Sequence, residues 1–313
     1  MIHARGLTRT FKSRHGTIEA VRGIDLDVAP GELVGLLGPN GAGKTTTQRM
    51  LATLLRPTAG EAVIAGCDLR RDPVGVRRQL GYVSQSGSTN PHAKVDEELV
   101  TQACLYGISR ADARARAPRV REMLDLGELG GRLIKTLSGG QRRRLDIALG
   151  LLHEPRLVFL DEPSTGLDPQ TRANLWGHIR TLRARGTTIL LTTHYLEEAD
   201  ALCDRILIID QGTIVAQGTP AELKRRISGD LVTFELDDTD RAAALLRGLA
   251  RDVTPVERGL RVTVDNGESE ALPLMRALDA AGIQVGALSI RHPSLDDVFL
   301  TLTGRSLRDA PSI

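Results

Sequence analysis

Residues 33–55 constrain the fold more than any other part of the chain. Leu33-Val34-Gly35-Leu36-Leu37 is a short apolar run, the pattern of a strand buried on both faces. Gly38-Pro39-Asn40-Gly41-Ala42-Gly43-Lys44-Thr45 follows it and matches G-x-x-x-x-G-K-[ST]. From Thr46 to Leu55, Met50, Leu51, Leu54 and Leu55 recur at helical spacing. Strand, glycine loop and helix in that order form a phosphate cradle. Glycines let backbone N–H groups face an anion, and the helix adds the positive end of its dipole. Lys44 then reaches the β- and γ-phosphates and Thr45 holds Mg²⁺. The plainer alternative, a glycine-rich turn with a surface lysine, does not account for the flanking strand and helix. Lys44 is also one of only five lysines in a chain that otherwise uses arginine for its positive charge.

Two later stretches carry further chemistry. Leu157-Val158-Phe159-Leu160 is an apolar strand that ends in Asp161-Glu162. Two adjacent carboxylates at the carboxyl end of a buried strand are costly unless they act on something. They also lie where open α/β sheets bind ligands. Asp161 is placed to hold Mg²⁺, and Glu162, pointing elsewhere, to polarise an attacking water. Leu137-Ser138-Gly139-Gly140-Gln141 opens a helix in which Leu145, Leu149 and Leu152 share a face. This is a second potential anion site, or a helix capped by Ser138, or both. Gln85 ends the strand at 80–85, and His194 follows the strand Thr187–Thr193, so both belong to the same sheet rim. Phe11, near the start of a β-rich stretch, either stacks on a purine or packs in its strand.

The remaining chain bounds the answer. Its 313 residues allow two domains. A net charge of +2 and an aromatic content of 3% argue against a nucleic-acid surface. Cys67, Cys104 and Cys203 form neither a metal pattern nor a disulfide framework and fit a reducing cytoplasm. No apolar run is long enough to span a bilayer, so a membrane role requires a partner. Residues 13–16 read as a turn within a hairpin. Residues 95–126 read as a helical, Ala/Arg-rich insertion punctuated by Pro118 and Gly127. A helix near 218–229 leads to a boundary. Beyond it the expected order is strand (231–236), helix (240–249), strand (253–256), strand (260–264), helix (269–281), strand (285–290), a βαββαβ unit. A final amphipathic piece covers 294–302.

In this order, GPNGAGKTT (38–46), Gln85, LSGGQ (137–141), LVFLDE (157–162), STGLD (164–168) and His194 resemble the nucleotide-binding subunit of an ABC transporter. The tail Pro293-Ser294-Leu295-Asp296-Asp297-Val298-Phe299-Leu300-Thr301-Leu302-Thr303-Gly304 is similar to that of the daunorubicin/doxorubicin-resistance ATP-binding subunits, which serve ABC-2 type exporters. The resemblance implies an α/β P-loop NTPase, with a RecA-like core, an antiparallel β subdomain and a helical insertion at about 86–154. This domain would cover 1–227, with a small ferredoxin-like α+β domain at 228–313. It implies a homodimer in the ATP-bound state with two ATPs at its interface. Gly38, Pro39, Asn40, Gly41, Ala42, Gly43, Lys44, Thr45 and Thr46 of one subunit would hold ATP, with Phe11 stacking on adenine. Ser138, Gly139, Gly140, Gln141 and Asp168 would come from the other. Glu162 would be the general base, His194 would contact the γ-phosphate, and Thr45, Gln85 and Asp161 would hold Mg²⁺. The implied partner is an ABC-2 type transmembrane permease at the cytoplasmic face of the membrane, and the implied activity is ATP hydrolysis driving drug export. ABC ATPases of DNA repair or translation share the motifs through His194. They carry coiled coils, zinc sites or a second cassette that this sequence lacks.

Overall fold

The computed structural model describes residues 1–13, 16–87, 89–227 and 229–304. The expected turn at 13–16 falls partly outside them, at residues 14 and 15, as does the end of the expected C-terminal domain at 305–313.

One compact unit takes in Met1–Thr219. Its elements are β1 (Ile2–Ser13), β2 (Gly16–Val28), β3 (Leu33–Leu37), α1 (Lys44–Leu51), β4 (Ala59–Ile64), β5 (Cys67–Asp68), α2 (Pro73–Gln79), β6 (Leu80–Val83), α3 (Val95–Leu105), α4 (Arg110–Met123), α5 (Gly139–Leu151), β7 (Leu157–Asp161), α6 (Pro169–Ala184), β8 (Thr188–Thr193), α7 (Leu196–Leu202), β9 (Arg205–Asp210) and β10 (Thr213–Gly218). The central sheet has the order β10-β9-β3-β8-β7-β6. All its pairings are parallel except the β9–β10 hairpin. Strands β3, β7 and β8 are buried at every position, including the threonines of β8 and Asp161 at the end of β7. Gly35 in β3 is forced: a Cβ there would lie 2.5 Å from the sulfur of buried Cys203.

A second sheet, β2-β1-β4-β5, is antiparallel. The core lies between the sheets, where Ile2, Leu7, Ile24 and Leu26 meet Val34, Met50, Phe159 and Leu207. Residues 95–151 supply three helices, α3, α4 and α5. Pro118, one of the two residues that punctuate this segment in the sequence, sits inside α4. A Pro inside a helix removes one hydrogen bond, and α4 holds its place through buried Ala113, Ala117 and Val120.

The second unit begins at Pro220. It contains α8 (Pro220–Ile227), β11 (Asp230–Glu235), α9 (Thr239–Leu246), β12 (Asp252–Val256), β13 (Gly259–Val264), α10 (Gly267–Ala280), β14 (Ala287–Arg291) and α11 (Leu295–Thr303). Its sheet order, β12-β13-β11-β14, is antiparallel throughout, the arrangement of a split βαββαβ unit. Val232, Phe234, Leu260 and Val262 of the sheet pack with Ala242, Leu246, Leu274 and Leu278 of α9 and α10. Helix α8, which the sequence reading places in the first domain, packs on α11 instead.

Candidate functional site

The parallel strands deliver four sequence-marked groups to one rim. The glycine loop follows β3, Gln85 follows β6, Asp161 closes β7 and His194 follows β8. The loop's glycines are there for space and for backbone angle. A Cβ on Gly38 would lie 2.2 Å from the Ile209 carbonyl oxygen. Gly43 has a φ of +102° at the N-cap of α1, and a Cβ there would lie 2.5 Å from the Ala20 carbonyl oxygen. The first N–H groups of α1 have no partner further back in the helix. Lys44, Thr45 and Thr46, which carry them, line a cavity of about 310 Å³ with Ala20, Asn40, Gly41, Gly43, Gln85 and Glu162.

Lys44 is 4% exposed. Its Nζ donates to the carbonyls of Gly38 (2.8 Å) and Pro39 (3.0 Å) and lies 3.5 Å from Glu162 Oε1. Burial holds its pKa below the usual lysine value, with Glu162 and Asp161 pulling the other way. Asp161 is fully buried. It accepts from Thr45 Oγ1 at 2.9 Å, Thr192 Oγ1 at 2.6 Å and Tyr82 Oη at 3.5 Å.

Glu162 turns away from Asp161 because its backbone leaves the strand. Its φ of +45° is left-handed, uncommon for a residue with a side chain. Its N–H donates to the Thr192 carbonyl and hydroxyl, both at 3.0 Å, which fixes that turn. The carboxylate then meets Gln85 Nε2 (2.9 Å) and Thr165 Oγ1 (3.2 Å), with His194 Nδ1 3.2 Å away but not aligned as a hydrogen bond. Burial raises the pKa of Glu162, but His194, Lys44 and Thr165 outweigh it, and the net value lies below the ordinary glutamate range. The group is ionised at neutral pH.

The remaining sequence-marked residues sit elsewhere in the same chain. Ser138 caps α5 in a reciprocal box with Gln141: Gln141 N donates to Ser138 Oγ (3.2 Å), and Ser138 N to Gln141 Oε1 (3.0 Å). Asp168 caps α6 through Thr171, and these hydrogen bonds hold its carboxyl below the usual range. Gly140 abuts the same Thr171: a Cβ on it would lie 2.3 Å from Thr171 Cγ2. Ser138, Gly139, Gly140, Gln141 and Asp168 are not among the residues lining the Lys44 cavity. Phe11 is 36% exposed on β1, with the Arg9 guanidinium 4.6 Å from its ring centroid. It is not buried in strand packing.

Sequence reading passed over Arg143, which organises much of this rim. It is buried on α5 and donates from Nη1 to Ser84 O (2.6 Å), from Nη2 to Asp161 O (2.9 Å) and from Nε to Pro163 O (2.9 Å). One guanidinium thus ties the chain beside Gln85 to the chain on both sides of Glu162. A signal was present: Arg143, Ile147 and Leu151 follow at four-residue intervals, so the arginine occupies a core-facing line.

Residues 21–165 match the ABC transporter family, and residues 218–303 match the C-terminal domain of DrrA1-3-like ATP-binding proteins. The daunorubicin resistance ATP-binding protein DrrA3 of Streptomyces coeruleorubidus is 44% identical over 95% of both chains. This chain belongs to the ABC transporter ATP-binding proteins. The linearmycin resistance ATP-binding protein LnrL of Bacillus subtilis is 36% identical, over 96% of this chain and 98% of that one. Among solved structures, the dimeric ATP-binding cassette MJ0796, in a post-hydrolysis state bound to ADP and Pi, superposes with a TM-score of 0.65. It is 26% identical and covers 70% of this chain and 98% of its own. The chain is accordingly an ATP-binding, ATP-hydrolysing transporter subunit with a P-loop NTPase core. Among the described residues no helix is long and apolar enough to cross a membrane.

Proposed function

We propose that two copies of this chain close on two ATP molecules and that hydrolysis at this interface drives export through a separate membrane protein. The convergence of Gln85, Lys44 and His194 on Glu162 carries this reading. Residues 38–46 wrap the triphosphate, and the Lys44 ammonium moves from the Gly38 and Pro39 carbonyls to the β- and γ-phosphate oxygens. Ionised Glu162 takes a proton from the water that attacks the γ-phosphorus, and ADP leaves on the opposite side. His194, beside Glu162, meets the γ-phosphate. Phe11 stacks on adenine.

A hydroxyl, an amide and a carboxylate, from Thr45, Gln85 and Asp161, are hard oxygen donors of the kind Mg²⁺ accepts. Bound there with the phosphates, Mg²⁺ would neutralise charge on the β- and γ-oxygens. Ser138, Gly139, Gly140, Gln141 and Asp168 lie off the Lys44 cavity, which supports their serving the partner copy's nucleotide. In this reading residues 1–219 are the nucleotide-binding domain, with the helical insertion at 86–154, and the unit that begins at Pro220 is an accessory unit.

The resistance names of the relatives support a drug or other hydrophobic compound as cargo. An ABC-2 type permease supplies the pathway, and this subunit sits peripherally on its cytoplasmic side. Glu162→Gln tests the reading: ATP still binds, turnover stops, and size-exclusion chromatography with Mg-ATP shows a trapped dimer. A strictly monomeric profile with ATP bound would contradict it.

A further inference from the structure

Glu198, on α7, is fully buried and plays no part in the hydrolytic reading above. Its Oε1 accepts from the Ser164 hydroxyl and from Trp176 Nε1 at 3.2 Å, and Trp176 Nε1 also lies 3.1 Å from Ser164 Oγ. Its other oxygen, Oε2, has no hydrogen-bond partner. Burial pushes the pKa of Glu198 up, while Ser164, Thr193, Trp176 and the Arg172 charge pull it down. An apolar side chain of similar volume would fill this space without the cost of burying a half-satisfied carboxyl group.

The places where this group is attached are specific. Ser164 is two residues beyond Glu162 and opens the 164–168 loop that ends at Asp168. His194 lies four residues before Glu198, and the turn into α7 is held by the Tyr195 N–H donating to the Thr193 hydroxyl at 2.9 Å. A single side chain on α7, four residues after the histidine, therefore grips the chain just after the carboxylate base. Arg172, whose charge acts on Glu198, lies over the Tyr195 ring at 4.5 Å. Glu198 does not line the nucleotide cavity.

We propose that Glu198 is a positioning residue. It ties α7, which directly follows His194, to the loop between Glu162 and Asp168, and so sets the spacing of Glu162 and His194. The inference rests on the assignment of Glu162 and His194 to the hydrolytic centre.

Purified full-length chain, assayed for phosphate release with Mg-ATP, tests it. Glu198→Ala is expected to lower kcat by about tenfold or more while KM for ATP stays within about threefold, the pattern of a lost transition-state arrangement. Glu198→Gln keeps an acceptor for Ser164 and Trp176 and should retain at least about a third of the wild-type kcat. Trp176 is the only tryptophan. Its emission should shift in Ser164→Ala, which deletes one hydroxyl and guards against a Glu198→Ala chain that does not fold. Ser164→Ala should also lose kcat about threefold with KM unchanged. Wild-type kcat in both Glu198→Ala and Ser164→Ala would overturn the proposal, as would Glu198→Gln no better than Glu198→Ala. Glu162→Gln, assayed in parallel, separates the two failures. If it turns over at the wild-type rate, the hydrolytic assignment is wrong. If it is inactive while Glu198→Ala is fully active, only the positioning role is lost.

Discussion

Replacing Arg143 by alanine should be among the most damaging single changes in the first unit. The side chain is 7% exposed and makes three hydrogen bonds of 2.9 Å or shorter to backbone carbonyls of three different residues. Hydrogen bonds from a charged donor are worth about 1.5–3 kcal/mol each, so the gross loss is about 4–9 kcal/mol. Removing the guanidinium also removes its own desolvation cost. Burial already disfavours its charged form, with Asp146 and Asp161 partly compensating. The expected net loss is about 3–5 kcal/mol, the range seen when one partner of a buried charged set is deleted. For a unit of this size each kcal/mol moves Tm by about 2–4 °C, so melting should fall by roughly 6–20 °C. Arg143→Lys should recover less than half of this, because an ammonium cannot present a planar fork to three carbonyls. Differential scanning calorimetry of the two variants measures the effect, and urea titration checks it. An Arg143→Ala chain that melts within about 2 °C of wild type would refute the reasoning, since it would mean water replaces the guanidinium at negligible cost.

Two further outcomes follow from the geometry. Lys44→Ala removes the only lysine lining the Lys44 cavity and should abolish tight ATP binding, measured by isothermal titration calorimetry; micromolar affinity would count against its phosphate contact. In the second unit, the hydrogen bond and charge of Asp230 raise the pKa of His292 above its ordinary 6.5, with Nδ1 3.0 Å from Asp230 Oδ1. Protonated His292 therefore favours the fold. That stabilisation is complete below the ordinary histidine pKa and disappears as pH rises through the raised one. Thermal melts from pH 5.5 to 8 should show this decline in wild type and a flatter profile in His292→Ala.

Much of the site is legible in the sequence because its chemistry is carried by contiguous words. A glycine loop between a buried strand and a helix, or two carboxylates closing an apolar run, needs no tertiary information. The C-terminal strand and helix order is legible for the same reason, since each segment keeps its own period. The misses are of another kind. Arg143 acts on carbonyls contributed by Ser84, Asp161 and Pro163, and backbone acceptors leave no mark in a sequence. That the helix runs through Pro118 is set by the burial of its neighbours on α4, which local propensity does not carry. Helix α8 reads as the end of the first domain because it follows β10 directly. What decides its place is α11, about seventy residues later, through contacts that no local pattern predicts.

Strand β6 stands at the end of the central sheet, paired on one side only, with β7. The strands that deliver the glycine loop, Asp161 and His194 are flanked on both sides and cannot shift without dragging two neighbours. Gln85 follows the one of these four strands that stands at an edge of the sheet among the described residues. Arg143 grips it there, reaching from the helix that Ser138 begins. One helix thus carries both the Ser138 cap at its front and the guanidinium that holds the chain leading to the glutamine beside Glu162.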